Sequence, residues 1–212
     1  MATPEGQARL RLVLNGIPLP EAISSQERRA ARDALAVPEE AFTLLYAGQL
    51  EPRKRALDAA RAALELEQPT LMLVAGDGPE RGEVEQLAGE RIRVLGERSD
   101  VPRLLAAADV LVMPSEREGL SLAVLEAMGR GLPVVVSDGL GNPETVATAG
   151  VVVPLGDVRA FARAFERLAA DPGERSRLGD AARERVRTVF SQERWRAEMR
   201  AAFEDALAAR RA

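Results

Sequence analysis

From residue 42 onward, short runs rich in valine, isoleucine and leucine alternate with stretches of helical pattern. This alternation constrains the fold more than any other feature of the chain. The apolar runs occupy residues 43–47, 70–75, 92–95, 110–113, 134–137 and 151–153. Most are continuously apolar, as strands covered on both faces of a parallel sheet are. Helical patterns lie between them at 55–67, 80–88, 101–108, 121–129 and 142–148. Strand–helix alternation repeated in this way predicts an α/β domain: a doubly wound, mostly parallel six-stranded sheet with right-handed crossovers and extra C-terminal helices. A chain of 212 residues is long enough to close such a core.

The two ends read differently. Residues 9–20 predict one strand, an Asn15-Gly16 turn and a proline-marked linker, followed by a charged, peripheral helix at 21–35. Helices are predicted at 158–170, 174–190 and 192–211, with Asp171-Pro172-Gly173 separating the first two and Ser191 capping the third. The expected organisation is a hinge remnant over 1–20, a ligand-binding domain over 21–190 and a terminal helix over 191–212. In that helix Trp195, Met199, Phe203 and Leu207 recur every fourth residue. The stripe either docks on its own domain or faces a partner domain or subunit.

Composition narrows the chemistry. The chain has neither cysteine nor histidine, which excludes disulfide scaffolds, thiol catalysis, Ser-His-Asp triads and HExxH zinc sites. A net charge of −4 argues against a nucleic-acid partner. No run of 18 apolar residues and no leader pattern occur, so neither a membrane span nor a signal peptide is expected, and the expected location is the cytoplasm. Of 29 basic residues a single one, Lys54, is lysine, and the rest are arginine. An arginine-biased composition accounts for this; a position that needs a compact ammonium does so equally.

In a doubly wound sheet ligands bind beyond the carboxyl ends of the strands where the order reverses. With 43–47 as the first strand, the loops there are Gly48–Lys54 and Pro114–Ser121, the most polar of the middle region, and one holds the sole lysine. From Leu120 to Met128 only Ser121 and Glu126 are polar, so this helix is expected to be buried nearly all round. A carboxylate in such a place is costly unless hydrogen-bonded. Glu126 therefore either anchors a structural hydrogen bond or meets ligand hydroxyls. The helix start after Gly119 offers N–H groups to a phosphate that Lys54 also faces. Gly76-Asp77-Gly78-Pro79-Glu80-Arg81-Gly82 suggests dinucleotide binding, but its spacing is GxGxxxG, which favours a structural turn with Pro79 opening the helix. No GxxxxGK[ST] run and no Asp-x-Asp pair occur, and with no histidine present no metal is expected.

Taken together, Gly48-Gln-Leu-Glu-Pro-Arg-Lys54, Val74–Arg81, Val94-Leu-Gly96, Ala107–Ser115, Glu118–Met128, Gly131–Asp138 and Gly141-Asn-Pro-Glu144 resemble the carboxyl-terminal, donor-binding half of retaining glycosyltransferase family 4, over about residues 11–205. Glu118 and Glu126 fit its E-x7-E signature. The resemblance implies one Rossmann-like half of a GT-B fold and a metal-independent hexosyltransferase that needs no cofactor. It implies a nucleotide-diphosphate-sugar donor, a UDP-, GDP- or ADP-sugar. Lys54 is then expected at the diphosphate and Glu126 at the ribose. Glu118, the catalytic residue by resemblance, belongs against the transferred sugar, with the N–H groups of Gly119, Leu120 and Ser121 near phosphate and sugar. Arg98 belongs beside the base. Gln49 stands where the family usually has arginine, so phosphate affinity is expected to suffer unless Arg53 or Arg55 compensates. The family also has an amino-terminal acceptor domain, expected here in cis or trans, through which any membrane contact would run; the isolated chain is expected to be inactive. A non-catalytic nucleotide-sugar-binding module and, less favoured, a dinucleotide-binding oxidoreductase using Gly76–Gly82 are the alternatives.

Overall fold

The computed structural model describes residues 11–209. Six strands form one sheet: β1 (Phe42–Ala47), β2 (Thr70–Ala75), β3 (Ile92–Gly96), β4 (Val110–Met113), β5 (Val134–Ser137) and β6 (Val151–Val153). All neighbouring pairs are parallel. Their order, β3-β2-β1-β4-β5-β6, reverses between β1 and β4, so the predicted doubly wound topology is the observed one. The helices are α1 (Ser25–Ala34), α2 (Ala56–Leu64), α3 (Arg81–Gln86), α4 (Val101–Ala107), α5 (Leu122–Gly129), α6 (Asn142–Val146), α7 (Val158–Ala170), α8 (Pro172–Val189) and α9 (Gln192–Ala209).

The continuous apolarity of the strands is explained by two cores, one on each face. Leu45, Leu73, Leu111 and Val136 face one way, against α4, α5 and α8. Leu44, Tyr46, Met72 and Val112 face the other way, against α2, α3 and α7, where Phe161 and Phe165 are fully buried. β6, at the sheet edge, leaves Val152 exposed.

Several expectations need correction. Of the strand, turn and linker predicted over 9–20, residues 9 and 10 lie outside the described ones, and no strand forms over 11–14, before the Asn15-Gly16 turn. Ile17 alone makes a bridge, with Ser191. Gly16 is required there because a Cβ would sit 2.3 Å from the Ser191 carbonyl oxygen. α1 begins at Ser25, four residues late, because Ser24 is the better cap and accepts from the Glu27 N–H at 3.1 Å. Nor is α1 merely peripheral: it buries Ala31 and Arg32. α8 starts at Pro172, where proline suits the first helical position and Asp171 caps the Glu174 N–H at 2.9 Å. Pro79 precedes α3 instead of opening it.

Ser191 does cap α9, its hydroxyl accepting from the Arg194 N–H at 3.3 Å. None of the described side chains of α9 is buried, and Phe203 and Leu207 are 63% and 56% exposed. Trp195 and Met199 are partly buried, so the first half of the stripe is sheltered and the second half open, and none of the four belongs to either core cluster. Among the described residues no helix is long and apolar enough to cross a membrane.

Candidate functional site

The carboxyl ends of β1, β2 and β3 open into a crevice of about 430 Å³, closed on one side by α5. Ala47 and Ala75, small residues at the strand ends, leave room for it. Gln49 lines it from the loop after β1, Asp77 from the loop after β2, Arg98 from the loop after β3, and Ala123 and Glu126 from α5. The crevice thus lies beside the topological reversal, where the sheet order alone places a ligand.

The loop after β1 is held from below. The Tyr46 hydroxyl donates to the Gln49 carbonyl oxygen at 2.6 Å, and burial pushes its phenol well above the ordinary range. The Gln49 side chain itself is exposed. Gly76 and Gly78 let the loop after β2 pass against it. Added Cβ atoms would lie 1.8 Å from the Gly48 carbonyl oxygen and 2.4 Å from that of Leu50. The Leu50 N–H donates to the Asp77 carbonyl oxygen at 2.9 Å across the same seam. These glycines therefore serve backbone packing, as the GxGxxxG spacing implied. That their loop also lines the crevice through Asp77 was missed; its place at the end of β2 was the available signal.

Glu126 is the most informative side chain. α5 buries Val124, Leu125, Ala127 and Met128, but Leu122 is exposed and Ala123 and Glu126 are only partly buried, so the helix is not buried all round as expected. The Glu126 carboxylate makes no hydrogen bond or ion pair with any described residue, which leaves the structural-anchor alternative without a partner. Partial burial alone raises its pKa above the ordinary carboxylate value. A desolvated, unpartnered carboxylate on a crevice wall suits hydroxyl donors.

Lys54 and Glu118 do not line that crevice; they meet beside it, from the loops after β1 and β4. Nζ lies 2.8 and 3.0 Å from the two carboxylate oxygens, with side chains 13% and 8% exposed. The Glu118 loop is fixed on both sides. The Glu118 N–H donates to the Leu140 carbonyl oxygen at 2.8 Å, and the Glu116 N–H to that of Arg53 at 2.8 Å. Asn142, almost fully buried, donates to the hydroxyls of Ser115 at 3.3 Å and Ser137 at 3.1 Å. Gly141 has φ +88°, and a Cβ there would lie 2.0 Å from the Glu118 carbonyl oxygen.

Gly119 is exposed, and nothing lies within 4 Å of where its Cβ would be. Ser121 caps α5 by accepting from the Val124 N–H at 3.4 Å, so its hydroxyl is turned to the helix. The N–H groups of Gly119, Leu120 and Ser121 donate to no acceptor among the described residues. Arg98 is gripped by both oxygens of Asp100 at 2.8 and 2.7 Å. Arg53 pairs with Glu51, and Arg55 with Asp58 and Glu116, so neither is an idle cation beside Gln49.

Residues 41–171 match the family model described as glycosyl transferases group 1. The lipopolysaccharide core biosynthesis glycosyltransferase LpsD of Rhizobium meliloti is 36% identical over 170 residues, covering 76% of this chain and 49% of that protein. A D-inositol 3-phosphate glycosyltransferase of Saccharomonospora viridis is 35% identical, covering 94% of this chain and 51% of its own length. The chain thus spans about half the length of these relatives. Among solved structures, Anabaena HepE in complex with UDP-glucose superposes with a TM-score of 0.85 at 21% identity, over 92% of this chain and 57% of that one, a likeness of fold.

Proposed function

The chain belongs to the glycosyl transferases group 1 family, and from this premise we propose that it is the donor-binding part of a retaining, metal-independent glycosyltransferase of the cytoplasm. It would take a nucleotide-diphosphate sugar and complete its site against an acceptor-binding domain. The observation that carries this reading is the unpartnered Glu126 carboxylate on the wall of a crevice at the sheet reversal. A ribose supplies the hydroxyl donors such a group requires. The diphosphate then extends toward Lys54, Gln49 and the unbonded N–H groups of Gly119, Leu120 and Ser121, where a cation and backbone dipoles stabilise the charge of the leaving nucleotide. Glu118 meets the sugar, and Arg98, at the end of β3, flanks the base. HepE holds UDP-glucose, which makes a UDP-sugar the first donor to try.

The sole lysine makes the test direct. Acylation of Lys54 by an amine-reactive ester, followed by mass spectrometry, is expected to slow several-fold when UDP-glucose, GDP-mannose or ADP-glucose occupies the site. Unchanged labelling with all three would overturn the reading.

One observation favours a second reading, a binding module without catalysis. Gln49 carries no charge, and Arg53 and Arg55 are committed to acidic partners, so the diphosphate meets one compact cation where the family resemblance implies two. Transfer that stays absent in Gln49→Arg, supplied with an acceptor domain, would favour that module.

A further inference from the structure

Resting on the donor reading above, we propose that the Lys54–Glu118 ion pair makes this site discriminate against the free nucleoside diphosphate and in favour of the intact nucleotide sugar. Lys54 is occupied before any ligand arrives: both carboxylate oxygens of Glu118 sit within 3.0 Å of its ammonium. Both side chains are largely withdrawn from water, Lys54 13% and Glu118 8% exposed. A diphosphate that takes the ammonium must therefore strip Glu118 of its counter-ion and add negative charge beside it.

Glu118 has no ready escape. Its backbone is tied through the Leu140 carbonyl oxygen and crowded by Gly141, so the loop cannot swing the carboxylate out without breaking that seam. Nor does a second cation wait to take over, since Arg53 and Arg55 are paired with Glu51, Asp58 and Glu116. The Tyr46 hydroxyl is spent on the Gln49 carbonyl oxygen. An uncompensated buried carboxylate is costly. A free nucleoside diphosphate, its ribose held at Glu126, brings no donor to Glu118 to offset it. A nucleotide sugar does, because sugar hydroxyls reach the position the ammonium leaves and donate to Glu118. The exchange couples the two ends of the donor: phosphate displaces carboxylate from lysine, and sugar replaces lysine at carboxylate. Once the sugar has gone, the ion pair re-forms and helps to expel the nucleotide.

The test is calorimetric titration of the wild-type chain and Glu118→Gln with UDP and UDP-glucose, and with the GDP and GDP-mannose and the ADP and ADP-glucose pairs. Glu118→Gln is isosteric and removes the charge conflict, so it is expected to bind the nucleoside diphosphate about tenfold more tightly than wild type while the nucleotide sugar gains less than threefold or weakens. Unchanged or weaker diphosphate binding in Glu118→Gln, or an equal gain for both ligands, would overturn the proposal. Glu118→Ala carries the same expectation for the diphosphate and decides the matter should the Gln variant not fold. Absence of binding by every ligand to the wild-type chain would instead overturn the donor reading, and the exchange with it.

Discussion

The two ends of the central sheet handle charge in opposite ways. At the amino ends of the strands, Asp109 accepts from Arg28 at 2.7 Å and from the Thr43 N–H at 2.8 Å. Arg32, 9% exposed, donates to the Thr43 hydroxyl and to the carbonyl oxygens of Pro38, Glu39, Ala41 and Ala107. Nearly every donor and acceptor there has a protein partner. At the carboxyl ends, among the described residues, Glu126 has none, the side chains of Lys54 and Glu118 have only each other, and three consecutive N–H groups point at no acceptor. Saturated pairing suits a cluster that holds the fold together; unmatched polar groups suit the ligand site proposed above.

The largest expected effect is at the saturated end. Arg32→Met leaves Asp109 short of a cation and several buried carbonyl oxygens without a donor, and should destabilise the chain by about 3 kcal/mol. Urea unfolding measures this, and nucleotide binding by the remaining folded protein should be unchanged. A loss below about 0.5 kcal/mol would break the contrast, because the cluster would then contribute little to folding.

A smaller effect, of opposite kind, is expected at the carboxyl end. Glu126→Gln should lower donor affinity about tenfold, the loss of one hydrogen bond to a charged acceptor. Stability should not fall. Burial raises the Glu126 pKa in the folded chain above its unfolded value, so the folded state holds that proton more tightly. The wild type therefore loses stability as pH rises from the ordinary carboxylate range through the raised value, and Glu126→Gln does not share that loss. Stability curves of the two proteins against pH should accordingly diverge on the alkaline side. Donor affinity of the wild type should drop as pH falls through the same value, while that of the variant stays flat.

The difference between the two ends also explains what the sequence revealed. The sheet was legible because strands buried on both faces must be continuously apolar, and the site loops because topology places them. Gln49, Arg98 and Glu126 do meet in one crevice. Arg32 was not legible: in a helix with three arginines nothing local marks the one that turns inward, and its partner Asp109 lies 77 positions away. The Lys54–Glu118 pair escaped for the same reason, since its two members are joined only through the adjacency of β1 and β4. Helix starts were misplaced at Ser25 and Pro172, where capping geometry decided between nearby candidates.

The central claim is that the carboxyl end is a nucleotide-sugar site whose diphosphate subsite is built around one lysine. Calorimetric titration of the chain with UDP, GDP, ADP and NAD, repeated on Lys54→Ala, tests it most directly. The account predicts micromolar binding of one nucleoside diphosphate, weakened at least tenfold in Lys54→Ala, and no comparable binding of NAD. Tight binding of NAD alone, or nucleoside-diphosphate binding indifferent to Lys54, would contradict it.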